Sequence, residues 1–251
     1  MYLRMFIGCM VLLFMSIFML SLSANAAEPV EEELVSLTQE TADQLAGSII
    51  EWKRRVDHSV WWECGVRYTL DEAKEAAQEW ADAIVTAHNN TTYTLRFGKN
   101  KDKLRRVDLN EVIGIIINES RFDRCALGPS PRNFAYAEGI LQRKKNTFSH
   151  PMEDLERLVK HPKMRGKKLD LGPGQILKRI PHKGDAWDTF KDYLTLTPGI
   201  QKLFDELAHR GFFYNRTKPS STWPGLGNHK AYTVRVLMNA QSLFSPPKHK
   251  R

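Results

Sequence analysis

Asp108-Leu-Asn-Glu-Val-Ile-Gly-Ile-Ile-Ile-Asn-Glu-Ser-Arg-Phe-Asp123 is the stretch on which the fold turns. Val112, Ile113, Ile115, Ile116 and Ile117 form a run too apolar for a surface helix, and their β-branching also suits a buried strand. Asp108, with Glu111 three residues later, has the spacing of a capping box and favours a helix. That helix ends at Glu119. A carboxyl delivered there sits half in an apolar wall and half in an opening. Desolvation then disfavours its charged form and raises its pKa, as a general acid working near neutral pH requires.

Upstream, Ala73, Ala76, Ala77, Trp80, Ile84, Val85 and Ala87 give a second helix an apolar face through about His88. Thr69 opens it with Glu72 in capping-box position. Further back, Leu34, Leu37, Leu45, Ile49, Ile50 and Trp52 predict a helix within 28–57. An aromatic connector from His58 to Tyr68 joins the two. Its Trp61 and Trp62 read as packing between that helix and the domain, with sugar stacking as the alternative.

Downstream, a short strand is expected at Tyr93–Phe97. Residues 129–169 look like a long excursion rich in Pro, Lys and Arg, helical only from Met152 to Lys160. A glycine-rich segment follows at 170–176, then a helix from about Asp185 to Leu196. Pro198 is expected to open the next helix, to Arg210, with Ile200, Leu203, Phe204 and Leu207 inward. A last helix is expected from His229 to about Leu243. The fold class is therefore mainly α, and no internal repeat is visible.

Residues 1–26 stand apart. One arginine precedes an apolar run from Met5 to Leu22, and Ala24-Asn25-Ala26 has the form of a signal-peptidase site. The run also approaches the length of a bilayer span. Cleavage after Ala26 and retention as an N-terminal membrane anchor both stay open, and either exports the body to a periplasmic or extracellular setting. The expected division is 1–26 signal or anchor, 27–68 helix and connector, 69–245 main domain, and 246–251 basic tail.

The 251 residues are 42% hydrophobic and 26% charged, with net charge +8, which is ordinary for a globular protein. A basic balance suits an anionic polymer such as peptidoglycan or nucleic acid. Export and the lack of a recognised motif make nucleic acid the poorer partner. Outside the export segment, Cys64 and Cys125 form an even pair, for which an oxidising compartment leaves both a disulfide and two free thiols open, since spacing does not show closeness. No spacing of metal ligands appears, so neither metal nor cofactor is expected.

Four further features stand in order: Glu119-Ser120-Arg121-Phe122, Gly172-Pro173-Gly174-Gln175-Ile176, Tyr214-Asn215, and Tyr232-Thr-Val-Arg-Val-Leu. This arrangement resembles the soluble lytic transglycosylases of the lysozyme-like superfamily, over about residues 70–243. Three departures stand out: the long interval between Glu119 and Gly172, Gly-Pro-Gly-Gln in place of Gly-Leu-Met-Gln, and Phe213 before Tyr214. The resemblance implies a lysozyme-like helical domain acting on peptidoglycan glycan strands without a cofactor. It implies Glu119 as the catalytic acid and base, with Ser120, Gln175, Tyr214, Asn215 and Tyr232 on the substrate side. The substrate's own C6 hydroxyl would be the nucleophile, so no second carboxylate is needed. Two-carboxylate hydrolysis would need a partner acid. Asp123 is the nearest candidate and otherwise reads as a loop acid or local cap, and Asp170 and Asp185 match no motif. A goose-type muramidase and a non-catalytic wall-binding protein of the same fold are the alternatives. The excursion at 129–169 either binds an envelope machine or shapes the cleft.

Overall fold

A computed structural model of the chain describes residues 34–56, 61–94, 104–128, 131–142, 149–210 and 229–244. Residues 1–35 separate from 36–251 as a unit of their own, and residues 1–26, expected to be a signal or anchor, lie outside the described residues.

The second unit is mostly helical. Helix α1 (Gln39–Val56) buries Leu45, Ile49 and Trp52. It begins later than its apolar spacing suggests, with Leu37 held outside the helix. The Leu37 amide donates to Asn89 Oδ1 at 2.8 Å, and Asn89 Nδ2 donates to the Leu37 carbonyl at 2.9 Å. The aromatic connector is a hairpin, β1 (Trp61–Glu63) against β2 (Val66–Tyr68), with Trp61 opposite Tyr68. Its two-residue turn, Cys64-Gly65, has both φ angles positive (51° and 73°), the geometry that matches strand twist. Trp61 packs in the core and Trp62 is exposed.

Helix α2 (Leu70–Asn90) starts with the full capping box: Thr69 Oγ1 accepts from the Glu72 amide, and Glu72 accepts from the Thr69 amide at 2.7 Å. A two-stranded ladder, β3 (Thr92–Thr94) and β4 (Leu104–Arg106), leads to α3 (Leu109–Glu119). The isoleucine-rich run is thus helical. Its expected capping box is not formed, however. Asp108 accepts from the Asn110 amide instead, while Glu111 turns inward and is buried.

The excursion is folded throughout its described part. It holds α4 (Pro131–Tyr136) continuing into a π-turn (Ala137–Leu141), then α5 (Met152–Lys160) and a 3₁₀ turn (Pro162–Met164). The glycine-rich segment is the turn of a second hairpin, β5 (Lys168–Leu171) with β6 (Ile176–Arg179). Helices α6 (Ala186–Leu194), α7 (Leu196–Arg210) and α8 (His229–Phe244) complete the order.

Two cores result. The first joins α1, α2, α3, α7 and α8, and includes the expected Ile200, Leu203, Phe204 and Leu207. The N-terminal helix is therefore part of the main core. The second is built from Leu127, Leu141, Leu155, Leu158, Met164, Leu169, Leu171, Ile180 and Phe190. Here the excursion and the hairpin make a lobe with its own apolar centre. Among the described residues, no helix is long and apolar enough to cross a membrane.

Candidate active site

Glu119 is the last residue of α3, and it is half-buried where the seven residues from Glu111 to Ile117 are fully buried. Asn118 Nδ2 donates to Glu119 Oε1 at 2.7 Å, which fixes one oxygen of the carboxyl. The chain then turns sharply. The amides of Ser120 and Arg121 both donate to the Ile116 carbonyl at 2.9 Å. Arg121 and Phe122 follow with φ of 54° and 56°, two consecutive left-handed residues of which neither is glycine. Such backbone carries strain of roughly 1–3 kcal/mol per residue and persists only where its surroundings dictate it.

Those surroundings are identifiable. Phe122 is fully buried, with its ring edge-on to Trp80 of α2 at 5.3 Å and to Trp52 of α1 at 5.7 Å. Beyond it, Cys125 and Cys64 are joined in a disulfide with Cα atoms 4.8 Å apart. Asp123 accepts from the Cys64 amide at 3.0 Å and the Cys125 amide at 2.9 Å. Burial raises the Asp123 pKa, against the effect of its hydrogen bonds from Ser149, Cys64 and Cys125. Asp123 is therefore no solvated loop acid. It caps locally and also staples two distant segments.

Glu63, fully buried, accepts from Trp80 Nε1 at 3.2 Å and from Arg124 Nε at 2.7 Å. Burial works against the Arg124 charge, but Glu63 and Glu79 more than offset it and the pKa rises. Tyr68 beside them is pushed up to about 12, by burial first and by the Glu63 charge second. The buried Glu63 and Asp123, with the partly exposed Arg124, thus form a polar brace behind the turn that follows Glu119. The sequence pattern did not single out Glu63. Its one signal was its place between Trp62 and Cys64.

Ser120 is fully buried and its hydroxyl donates to the Ile116 carbonyl at 3.0 Å. In this structure it closes the end of α3 as a polar helix-end residue. Gln175 sits in the β5–β6 turn with φ of 46°, its amide donating to the Gly172 carbonyl at 3.0 Å. The residue is 6% exposed, and neither Oε1 nor Nε2 of its side chain has a hydrogen-bond partner. A buried amide with both ends unsatisfied costs free energy that a polar ligand or water recovers. The turn is tied to the segment leaving Glu119: Leu127 bridges to Leu171, and the Gly128 amide donates to the Asp170 carbonyl at 3.0 Å.

Tyr214 and Asn215 lie outside the described residues. Tyr232 falls on α8, and its side chain is likewise outside them. The other candidate acids have structural roles. Asp170 accepts from Asn133 Nδ2 at 3.1 Å, and Asp185 caps α6 through the Trp187 amide at 2.8 Å. Residues 211–228 contain no Asp or Glu at all. Among the described residues, the grouping with metal-ligand spacing is Cys64, Asp123 and Cys125. Its two sulfurs are spent on each other in the disulfide.

Comparison with family models, with curated proteins and with solved structures gives no match to the chain.

Proposed function

We propose that the chain is an exported peptidoglycan lytic transglycosylase with a lysozyme-like helical domain, in which Glu119 is both acid and base. In its protonated form Glu119 gives its proton to the oxygen of the β-1,4 bond between N-acetylmuramic acid and N-acetylglucosamine. The C1–O bond breaks and the glucosamine end leaves as an alcohol. The Glu119 carboxylate then takes the proton of the muramic acid C6 hydroxyl as O6 bonds to C1. This closes the 1,6-anhydro ring and returns Glu119 to its starting form.

The observation that carries this reading is the setting of Glu119. It is the partly buried end of a helix whose middle, from Glu111 to Ile117, is buried, and strained backbone follows it, while Asp123, Asp170 and Asp185 are each committed to structural hydrogen bonds. Glu119 with no motif-placed second carboxylate suits a reaction whose nucleophile belongs to the substrate, whereas hydrolysis by two carboxylates needs a second acid at a set distance. The buried, unpartnered Gln175 amide offers a donor and an acceptor to a sugar acetamido group. Residues 1–26, read as a signal or anchor, would place the domain in the periplasm with its substrate.

The purified exported protein is expected to solubilise peptidoglycan sacculi, and Glu119→Gln to lose this by at least about 10³-fold. A Glu119→Gln protein that still clears sacculi at the wild-type rate would overturn the assignment.

A further inference from the structure

The region from Arg157 to Lys183 holds nine Lys and Arg against one acid, Asp170. Hydrogen bonding and register gather much of this charge on the outer end of the second hairpin. Lys168 of β5 stands directly opposite Arg179 of β6, and both are exposed. Arg179 Nη1 donates to the Gly166 carbonyl at 2.8 Å, which holds its guanidinium over the start of β5. Lys163, Arg165, Lys167 and Lys183 are exposed around the same end. Among the described residues none of these six makes an ion pair, in contrast to Arg157 and Lys160, which do. Like charges placed directly across a strand pair are destabilising. A fold that keeps such a pair, with four more unpaired cations beside it, gains when an anion arrives.

We propose that this end of the β5–β6 hairpin is a docking surface for a carboxylate-bearing glycan strand, the stem-peptide carboxylates of peptidoglycan being the anions. The proposal rests on the functional reading above and extends it to substrate capture. Charge complementarity supplies one argument, and continuity supplies the other. The closed end of this hairpin carries the unpartnered Gln175, and β5 is bridged to the segment leaving Glu119. A strand held at the Gln175 turn and running back along the hairpin would meet the cations within about four residues, roughly 13 Å. Exposed cations interact with anions over about a Debye length, so capture should weaken as salt rises.

The test uses the full exported protein carrying Glu119→Gln, so that the polymer is not consumed, and measures co-sedimentation with purified sacculi. A second protein adds Lys163→Gln, Lys167→Gln, Lys168→Gln and Arg179→Gln, with its thermal unfolding checked against the parent. The four changes are expected to weaken sacculus binding by about tenfold or more at 0.15 M salt. Amidating the sacculus carboxylates should weaken the parent's binding to the same extent. Equal binding by both proteins, or binding indifferent to amidation, would overturn the proposal. So would a parent that binds anionic phosphatidylglycerol vesicles and not sacculi, since the surface would then serve a membrane. Cleavage by the otherwise wild-type chain is read separately, so failure of the catalytic reading shows there and not in these binding data.

Discussion

Glu111 and Glu63 are both buried carboxylates beside the path to Glu119, and they are held by opposite means. Glu111 has no hydrogen-bond partner on either oxygen. Burial first and the Asp108 charge second push its pKa from 4.5 to about 8. Below pH 4.5 the folded and unfolded chains both hold this proton. Between 4.5 and 8 the unfolded chain releases it and the folded chain keeps it, so stability falls with rising pH across that window. Glu111→Gln should remove this slope and be about 1–3 kcal/mol more stable than the parent at pH 8. Denaturant unfolding at pH 5 and pH 8 measures both quantities. Glu63, in contrast, is satisfied by an indole, a backbone amide and a guanidinium. Glu63→Gln leaves Arg124 without its buried counter-charge and is expected to cost about 2–4 kcal/mol by the same measurement. The place of Glu119 at a helix end was legible from the isoleucine run before it. The brace behind it was not, because Glu63 and Arg124 meet across 61 residues of sequence.

At the scale of elements, the close approach of α3 and α8 sets where the acid-bearing helix lies. A Cβ on Gly114 would overlap the Val236 carbonyl of α8. Alanine is the better helix former by up to about 1 kcal/mol, yet overpacking here should dominate. Gly114→Ala is expected to lose about 1–3 kcal/mol net, read as a lower urea midpoint. Gly47 in α1 has open space at the same position and is the control. Gly47→Ala should gain about 0.5–1 kcal/mol. The long helices were readable because ten or more residues repeat an apolar face at helical spacing. The hairpins were not, because their strands are only three or four residues long. Their inward residues are too few to set a period of two, and Cys64-Gly65 is an uncommon turn pair. Glu111 misled in its own way, since its spacing from Asp108 matches a capping box while the helix packs it inward.

For the whole molecule, charge is divided between regions. Residues 36–90 hold ten acids and five basic residues, whereas residues 157–183 reverse that balance. Composition showed a modest net positive charge but not this division. It also hid the second core, whose leucines and isoleucines are dispersed among lysines and prolines and only converge once the excursion folds. The two cores meet in sequence at the segment from Ser120 to Gly128, which leaves Glu119, carries the disulfide and reaches the second hairpin. That Glu119, where this segment begins, is both acid and base is the central proposal, and the products of digestion test it most directly. Mass spectrometry of sacculi treated with the wild-type protein should find muropeptides ending in 1,6-anhydro-N-acetylmuramic acid, one water lighter than hydrolysis products, with none released by Glu119→Gln. Reducing-end muropeptides in the wild-type digest, or anhydro products persisting in the variant, would contradict the account.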